Sequence, residues 1–561
     1  MALQIALIFS PESADPARGG KPVRLVLAIT VDQLRGSAVS TAQIDDKRPF
    51  LDRLVRRGVH FANAHYAHAN TLTAPGHATL FTGAHAAGHG LISNEWIDRE
   101  SGDFVYCVED TNHQLLGQKS TAHIGTSPRN LTTNTIGDEL IVGSGNQSRV
   151  FSVSLKDRGA ILPAGHLGKA FWYSDSSGHF VSSDFYYDSY PEWVQAFNQL
   201  GSLHYRTALW DQSRPSTSYH WEDNRRGERG AVSNVFPHTL ADSISDSAFF
   251  AELPYTPYGD ALVIDFVRTL IEAEGLGTGD LPDMLCISLS ATDKIGHAYG
   301  PQSWEAQDNL NQLDITIDRL LQVVDASVGL DQTLVLLTSD HGCAGNPEWQ
   351  EDLGLPAGRV NIDSILTVTS AIVASRLACD QDIIAGFHNP SVFLDQGSIA
   401  TCGLAAASVE NELKDLIQDQ DGIAFVVTRS ELLTDRFPNS AFNDRVRHAF
   451  HPLRSGDLYI VQQPFWYLHS KHNEKAAMHG SPYNYDTHVP IIFSGPGIPS
   501  GCRVHRKVAP SDIAVTLALY LGVGIPAHSV GTPLFEVLLD KTERTSTSEG
   551  ASQDPPSSCC R

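Results

Sequence analysis

Six positions carry oxygen and nitrogen donors in settings that suit a divalent metal centre. Asp293 and His297 stand in A-T-D-K-I-G-H, and their i, i+4 spacing puts both on one side of a helical turn. Asp340 and His341 are adjacent in T-S-D-H-G. Asp32 closes the run V-L-A-I-T-V-D, and His488 follows Asp486 in Y-D-T-H-V-P. Three carboxylates and three imidazoles form a mixed O/N set suited to zinc. Taken singly, each residue has an ordinary explanation: an aspartate at a strand end is often a helix N-cap, and a lone histidine is usually a satisfied or surface residue. Their joint placement is what carries weight. His60, His65, His68, His85 and His89 form a looser cluster without a strand-end setting and are given no metal role.

A nucleophile is expected at Thr73 in T-L-T-A-P-G-H-A-T-L-F-T-G. Proline is favoured in the first turn of a helix, so Thr73 falls at a helix N-terminus, where free N–H groups and the dipole attract an anion. Alone, Thr73 reads as an N-cap. A bound metal would convert it, because coordination favours the alkoxide. Lys156 and Arg158, in S-L-K-D-R-G-A-I-L-P-A-G, suit phosphate oxygens: arginine as a fork, lysine as a point charge. Alternate positions of an extended chain would aim both to one side. Asn94, in G-L-I-S-N-E-W, adds an amide donor. On its own, K-D-R reads more simply as a solvated loop.

The elements that must position these groups are apolar, β-branched runs ending in polar residues. Val23 to Val31 ends at Asp32, Val150 to Leu155 at Lys156, Leu285 to Thr292 at Asp293, and Thr333 to Ser339 at Asp340. Such runs suit strands buried on both faces. A helix is expected over Trp304 to Val324, with Leu310, Leu313, Ile317, Leu320 and Leu321 on one stripe. Alternating strands and helices imply an α/β fold with a mostly parallel central sheet flanked by helices, and ligands binding beyond the strands' carboxyl ends. Two insertions interrupt the pattern. One is a Tyr/Trp/Ser-rich cap over about 165–254. The other is a small α+β lobe over about 344–479, with strands near 359–362, 391–394 and 423–428 and helices near 364–376 and 405–418. The catalytic domain is expected over 21–540. Residues 1–20 read as a tail or signal remnant, and the Ser/Thr/Pro-rich 541–561 as a disordered tail.

The chain has 561 residues, is 42% apolar and carries a formal charge of −24. That supports a large core and argues against a nucleic-acid scaffold, which needs a basic stripe. It does not exclude an anionic substrate, since metal ions reverse the field inside one cleft. None of the eight cysteines forms a C-x-x-C pair, so a cysteine zinc site is not expected, and the sequence does not pair them into disulfides. Leu3 to Phe9 is too short to span a bilayer and lacks a basic flank, and no other run suits a membrane helix.

In order and combination, V-D-Q, T-A-P-G-H, S-N-E-W, S-L-K-D-R-G-A-I-L-P-A-G, T-D-K-I-G-H, T-S-D-H-G and D-T-H-V-P resemble the alkaline phosphatase superfamily. Specifically, they resemble the phosphate-irrepressible alkaline phosphatases with a threonine nucleophile, over roughly Val23 to Leu538. The resemblance implies two zinc ions per chain. Asp293, His297 and His488 would hold one; Asp32, Asp340, His341 and the Thr73 oxygen would hold the other. Asn94, Lys156 and Arg158 would bind the phosphoryl oxygens. It implies hydrolysis of small phosphate monoesters through a phosphothreonine, releasing inorganic phosphate, by a periplasmic or secreted monomer or weak oligomer. The main rival is a phosphodiesterase or nucleotide pyrophosphatase on the same fold. Lys156 and Arg158 favour monoesters, whose extra unesterified oxygen rewards cations. A sulfatase would need the C/S-x-P-x-R pattern, which is absent here. A mutase would be expected to use serine. A silent phosphate-binding module would not need the full ligand set.

Overall fold

The structure, a computed structural model, describes residues 21–39, 49–117, 126–230, 233–240, 246–469 and 475–538. The two terminal segments named above lie outside these residues. A nine-stranded sheet organises the chain. Its strands, in chain order, are β1 (Leu25–Val31), β2 (Gly58–His65), β3 (Val150–Ser154), β4 (Lys169–Tyr173), β5 (Phe180–Val181), β6 (Asp283–Leu289), β7 (Thr333–Thr338), β8 (His488–Ser494) and β9 (Cys502–Val504). Across the sheet they run β9-β2-β8-β7-β1-β6-β3-β4-β5. The middle is parallel: β1 lies between β6 and β7 in register from Leu25, and β3 pairs with β6. The sheet is mixed, because β8 runs antiparallel to both β7 and β2, and β5 antiparallel to β4.

The four runs expected as strands are β1, β3, β6 and β7, and they are neighbours. Every residue of each is buried, as a strand covered on both faces requires. One face packs on a core holding Leu27, Ile29, Leu285, Ile287 and Leu337. The other holds Val26, Ala28, Met284, Leu334 and Leu336. The expected long helix spans Trp304–Ser327 and turns Leu313, Ile317, Leu320, Leu321 and Val324 inward. Its N-cap Ser303 accepts a bond from the Ala306 N–H.

The region expected as a cap begins inside the sheet instead. Lys169–Tyr173 is β4, because its apolar Ala-Phe-Trp-Tyr run pairs in parallel with β3. Many of the aromatics that follow fill a core: Phe180 stacks on Phe266 at 4.1 Å, with Phe171, Trp193 and Phe197 around them. Between β7 and β8 lies a second, antiparallel four-stranded sheet. It is ordered Ile384–His388, Ser391–Leu394, Leu458–Gln462 and Ile423–Thr428. Helices Ile362–Arg376 and Ala406–Gln418 share its core. A disulfide joins Cys379 to Cys402 there, which is consistent with an oxidising compartment. Among the described residues, no helix is long and apolar enough to cross a membrane.

Candidate metal and phosphoryl site

Four adjacent parallel strands end at one edge, and their polar residues meet there. Two buried triads result: Asp32, Asp340 and His341, and Asp293, His297 and His479, each offering ligand atoms within 4.8 Å of one another. Asp32 directly follows β1, and its N–H donates to the Leu289 carbonyl at 2.9 Å. Asp293 and His297 sit on one helix, Ala291–Tyr299, with His297 Nε2 3.2 Å from Asp293 Oδ1. His479 Nε2 is 3.5 Å from the same oxygen, and His341 Nε2 is 3.4 Å from Asp32 Oδ1.

The donors are arranged as metal ligands should be. His297, His341 and His479 each use Nδ1 on a backbone carbonyl: Ala477 at 2.7 Å, Gly342 at 3.0 Å and Thr71 at 2.8 Å. This pattern fixes the tautomer and leaves the Nε2 lone pair for an ion. Asp32 Oδ1, Asp340 Oδ2 and His341 Nε2 are buried without a hydrogen-bond partner. Three unpaired polar atoms converging in one buried spot would be costly unless a cation satisfied them. The residues present therefore fit two divalent ions.

His488 is not part of either triad; His479 takes that place. The start of β8 does reach the site edge, but His488 lies opposite His65 in the β8–β2 pairing. Its ring stacks on His65 at 4.8 Å, and its Nε2 is engaged by the Ala62 carbonyl at 3.0 Å. A side chain on Gly36 would collide with that ring. Its Nε2 is thus engaged with the sheet, and neither triad includes this residue.

Thr73 opens the helix Thr73–Thr82 and is itself 1% exposed. The N-cap is Leu72, which makes no side-chain cap bond, so Thr73 is not a cap. His77, one turn on, binds the Thr73 carbonyl at 2.9 Å and lies 3.3 Å from Asp340 Oδ2. Gly76 faces the Asp340 backbone so closely that a Cβ would overlap its carbonyl. The T-A-P-G-H motif is therefore a docking surface that packs the start of this helix against Asp340. Asn94 Oδ1 accepts the Ala74 N–H at 2.9 Å, which keeps its NH2 as a donor at the helix start.

Lys156 Nζ lies 2.6 Å from Asp32 Oδ2 and 2.5 Å from Asp293 Oδ2, so the ammonium joins the two triads. Lys156 is extended, but a helix begins at Asp157 and places Arg158 on its first turn, so the two are not alternate residues of a strand. Arg158 Nη1 is held by Tyr106 Oη at 3.0 Å, and Tyr106 donates to Asp157 Oδ1 at 2.6 Å.

Burial, with Asp293 and Asp340 alongside, pushes the Asp32 carboxyl up to about 7. Burial also opposes ionisation of Asp293 and Asp340, but His297 and Lys156 hold the first well below the usual range. His341 and His77 likewise lower the second. Burial drives His297 down to about 4 and His341 to about 3, so both rings are neutral, as ligands must be. Burial would discharge Lys156, yet Asp293 and Asp32 raise it.

Three residues beyond those expected belong to this constellation: His479, His77 and Gln33. Gln33, with φ of 71°, gives its backbone N–H to Asp340 Oδ1 at 3.1 Å and its side-chain amide to Asp293 Oδ1 at 2.8 Å. It thereby braces one ligand of each triad. Gly296 makes room for it, since a Cβ there would overlap the Gln33 amide. The glutamine of V-D-Q was the available signal for this role.

The chain is similar to known proteins over most of its length. The family model described as type I phosphodiesterase / nucleotide pyrophosphatase matches residues 26–482. Alkaline phosphatase PhoV of Synechococcus elongatus is 31% identical over 523 residues, 92% of this chain and 93% of that protein. Alkaline phosphatase PafA of Elizabethkingia meningoseptica is 31% identical over 523 residues, 92% and 94% of the two chains. The crystal structure of wild-type alkaline phosphatase PafA superposes with a TM-score of 0.85 at 29% identity, covering 92% of this chain and 99% of that one. Murine ectonucleotide pyrophosphatase / phosphodiesterase 5, at 15% identity and a TM-score of 0.53, shares the fold.

Proposed function

Because this chain belongs to the alkaline phosphatase superfamily, in its PafA-like branch related to type I phosphodiesterases, we propose that it is a two-zinc phosphomonoesterase with Thr73 as nucleophile. The observation that carries the reading is the pair of buried Asp/His triads bridged by Lys156, with the Thr73 helix docked on Asp340. Asp293, His297 and His479 would hold one ion, and Asp32, Asp340 and His341 the other. Bound zinc supplies Lewis acidity that favours the Thr73 alkoxide and stabilises the entering and leaving oxygens.

The remaining steps belong to the chain's own groups. Thr73 Oγ1 attacks phosphorus, the ester oxygen departs with the alcohol, and phosphothreonine remains. Water then attacks from the opposite side, breaks the Thr73 O–P bond and releases inorganic phosphate. Divalent ions would compete with the Lys156 ammonium for the Asp32 and Asp293 oxygens and turn it toward substrate. Lys156, Arg158 and the Asn94 NH2 then bind the phosphoryl oxygens, where preorganised donors help most. Alkaline conditions favour the ionised Thr73 hydroxyl.

A phosphodiesterase reading is supported by the family description, and some diester turnover is expected. Lys156 and Arg158 favour monoesters, since a diester replaces one charged oxygen by an organic group. The disulfide supports a periplasmic or secreted location, and the substrates are small phosphate monoesters met by a monomer or weak oligomer. The test is zinc content with 4-nitrophenyl phosphate turnover across pH, for wild type and Thr73→Ala. Wild type should hold about two zinc ions per chain, and Thr73→Ala should lose at least a thousandfold in kcat, in line with loss of a covalent nucleophile. Wild type without zinc or turnover, or a Thr73→Ala variant as fast as wild type, would overturn it.

A further inference from the structure

Arg158, assigned above to the phosphoryl oxygens, directly follows a carboxylate. Asp157 opens the helix Asp157–Ala164, and Arg158 is the next residue on its first turn. With nothing to separate them, a guanidinium and a carboxylate this near would close into a direct ion pair. They do not close: Arg158 Nη1 stands 3.9 Å from Asp157 Oδ1, beyond hydrogen-bond reach. Tyr106 bridges them instead. Its Oη lies 2.6 Å from Asp157 Oδ1 and 3.0 Å from Arg158 Nη1.

Proton accounting fixes the direction of both bonds. A phenol carries one hydrogen and a carboxylate can only accept, so Tyr106 gives its hydrogen to Asp157. Arg158 can only donate, so it bonds the phenol oxygen. Each bond involves an ion, which makes it stronger than a neutral one. Burial and Asp157 hold the Tyr106 hydroxyl well above its ordinary range, so the hydrogen stays in place in alkali, where an exposed tyrosine ionises.

Tyr106 is itself fixed. It is 6% exposed and ends the strand Phe104–Tyr106, opposite Glu95 of the strand Glu95–Ile97. Its carbonyl accepts from the Asn130 amide at 3.3 Å. The next residue, Cys107, donates its N–H to the Asn94 carbonyl at 2.9 Å. The same two-stranded ribbon thus adjoins Asn94 and carries the side chain that touches Arg158. On the guanidinium, Nη1 is taken by Tyr106, while Nε is buried without a partner. A buried donor of this kind is costly until an acceptor arrives, and a phosphoryl oxygen supplies one.

We propose that Tyr106 is a positioning residue for Arg158: its hydroxyl is a spacer that keeps the guanidinium from closing on Asp157 and holds the remaining donors for the phosphoryl group. The role rests on the phosphatase reading and extends it from the group that binds phosphate to the one that aims it. Selection of monoesters, ascribed above to Lys156 and Arg158, then depends on a residue that acts only through Arg158. Removing the hydroxyl lets Arg158 pair with Asp157.

The test compares kcat/KM for 4-nitrophenyl phosphate and competitive inhibition by inorganic phosphate, with metal content measured in every variant. Tyr106→Phe should lower kcat/KM about tenfold, the worth of one charge-assisted hydrogen bond, and weaken phosphate inhibition by a similar factor without loss of metal. In Arg158→Ala, the same substitution should change kcat/KM by less than about twofold, because the group it acts through is gone. Asp157→Asn added to Tyr106→Phe should recover most of the loss, since the pairing charge is removed; a merely structural defect would not be rescued this way. Full kcat/KM in Tyr106→Phe, an undiminished loss in the Arg158→Ala background, or no recovery with Asp157→Asn would overturn the role. Absence of any monoester hydrolysis by wild type would instead overturn the phosphatase reading.

Discussion

Alanine at His479 should cost the protein one metal ion, whereas alanine at His488 should cost none. His479 is 7% exposed, its Nε2 lies 3.5 Å from Asp293 Oδ1, and its Nδ1 is anchored on Thr71 at 2.8 Å. Its ring also stacks on His341 at 3.6 Å, so it touches both triads. Removing it leaves Asp293 and His297 as the protein donors of that triad. Loss of a residue that merely orients a ligand lowers metal affinity about 10- to 100-fold. Loss of a ligand should exceed that, which is upward of roughly 2.7 kcal/mol. His488→Ala removes instead one ring stack and one bond to Ala62. That is about 1–2 kcal/mol of stability, seen as a small fall in Tm. The assay is metal per chain by plasma mass spectrometry after dialysis against a weak chelator. His479→Ala should fall from about two ions to about one, and His488→Ala should stay near two. Loss of metal from His488→Ala with retention in His479→Ala would refute the assignment.

Lys156→Ala/Arg158→Ala should lose far more kcat/KM on an aryl phosphate monoester than on the matching diester. Equal losses would deny these cations their part in selecting monoesters. Glu228 gives a pH-dependent stability prediction away from the metal ligands: burial and Glu305 push its carboxyl up to about 8, and both its oxygens lack partners. A raised carboxyl costs nothing below the ordinary carboxylate range, and its penalty grows as pH rises from there toward about 8. Glu228→Gln should therefore leave thermal stability nearly unchanged near pH 4 and raise it near pH 9, by on the order of 1–4 kcal/mol. An equal gain at both pH values would contradict the sign.

Legibility followed burial. β1, β3, β6 and β7 are covered on both faces, so their sequences are continuous apolar runs and their polar ends stand out. Asp32, Lys156, Asp293, Asp340 and His341 could be read from that contrast. The strands Ser391–Leu394 and Ile423–Thr428 were visible as apolar, β-branched runs, although the second is a partly exposed edge strand. Ile384–His388 was not, because its Ile-Ala-Gly-Phe-His run is broken by Gly386 and has little contrast to its flanks. β2 was hidden by its polar content: Gly58–His65 carries His60, Asn63 and His65, although His60 is 2% exposed. His479 escaped because no strand or helix carries it. It sits on an irregular segment fixed by carbonyl contacts from Thr71 and by the neighbouring Ala477 bond to His297. His488, by contrast, had the strand-end setting but stacks on His65 and joins neither triad.

The position of His479 also explains what the inserted lobe does for the site. Asp340 and His341 are followed by the lobe, and the return path delivers Lys475, Ala477 and His479 before β8 begins. Arg359, on the lobe's Gly358–Asn361 strand, holds the Lys475 and Ala476 carbonyls at 2.7 and 3.1 Å. Ala476 and Ala477 in turn bracket His297 by its backbone carbonyl and its Nδ1. The Asp293 triad is therefore completed by a segment whose geometry the lobe sets. The Asp32 triad draws its three residues from just beyond the ends of β1 and β7, with no lobe residue among them. One half of the centre lies at the ends of parallel strands, and the other is completed by the segment that returns from the insertion.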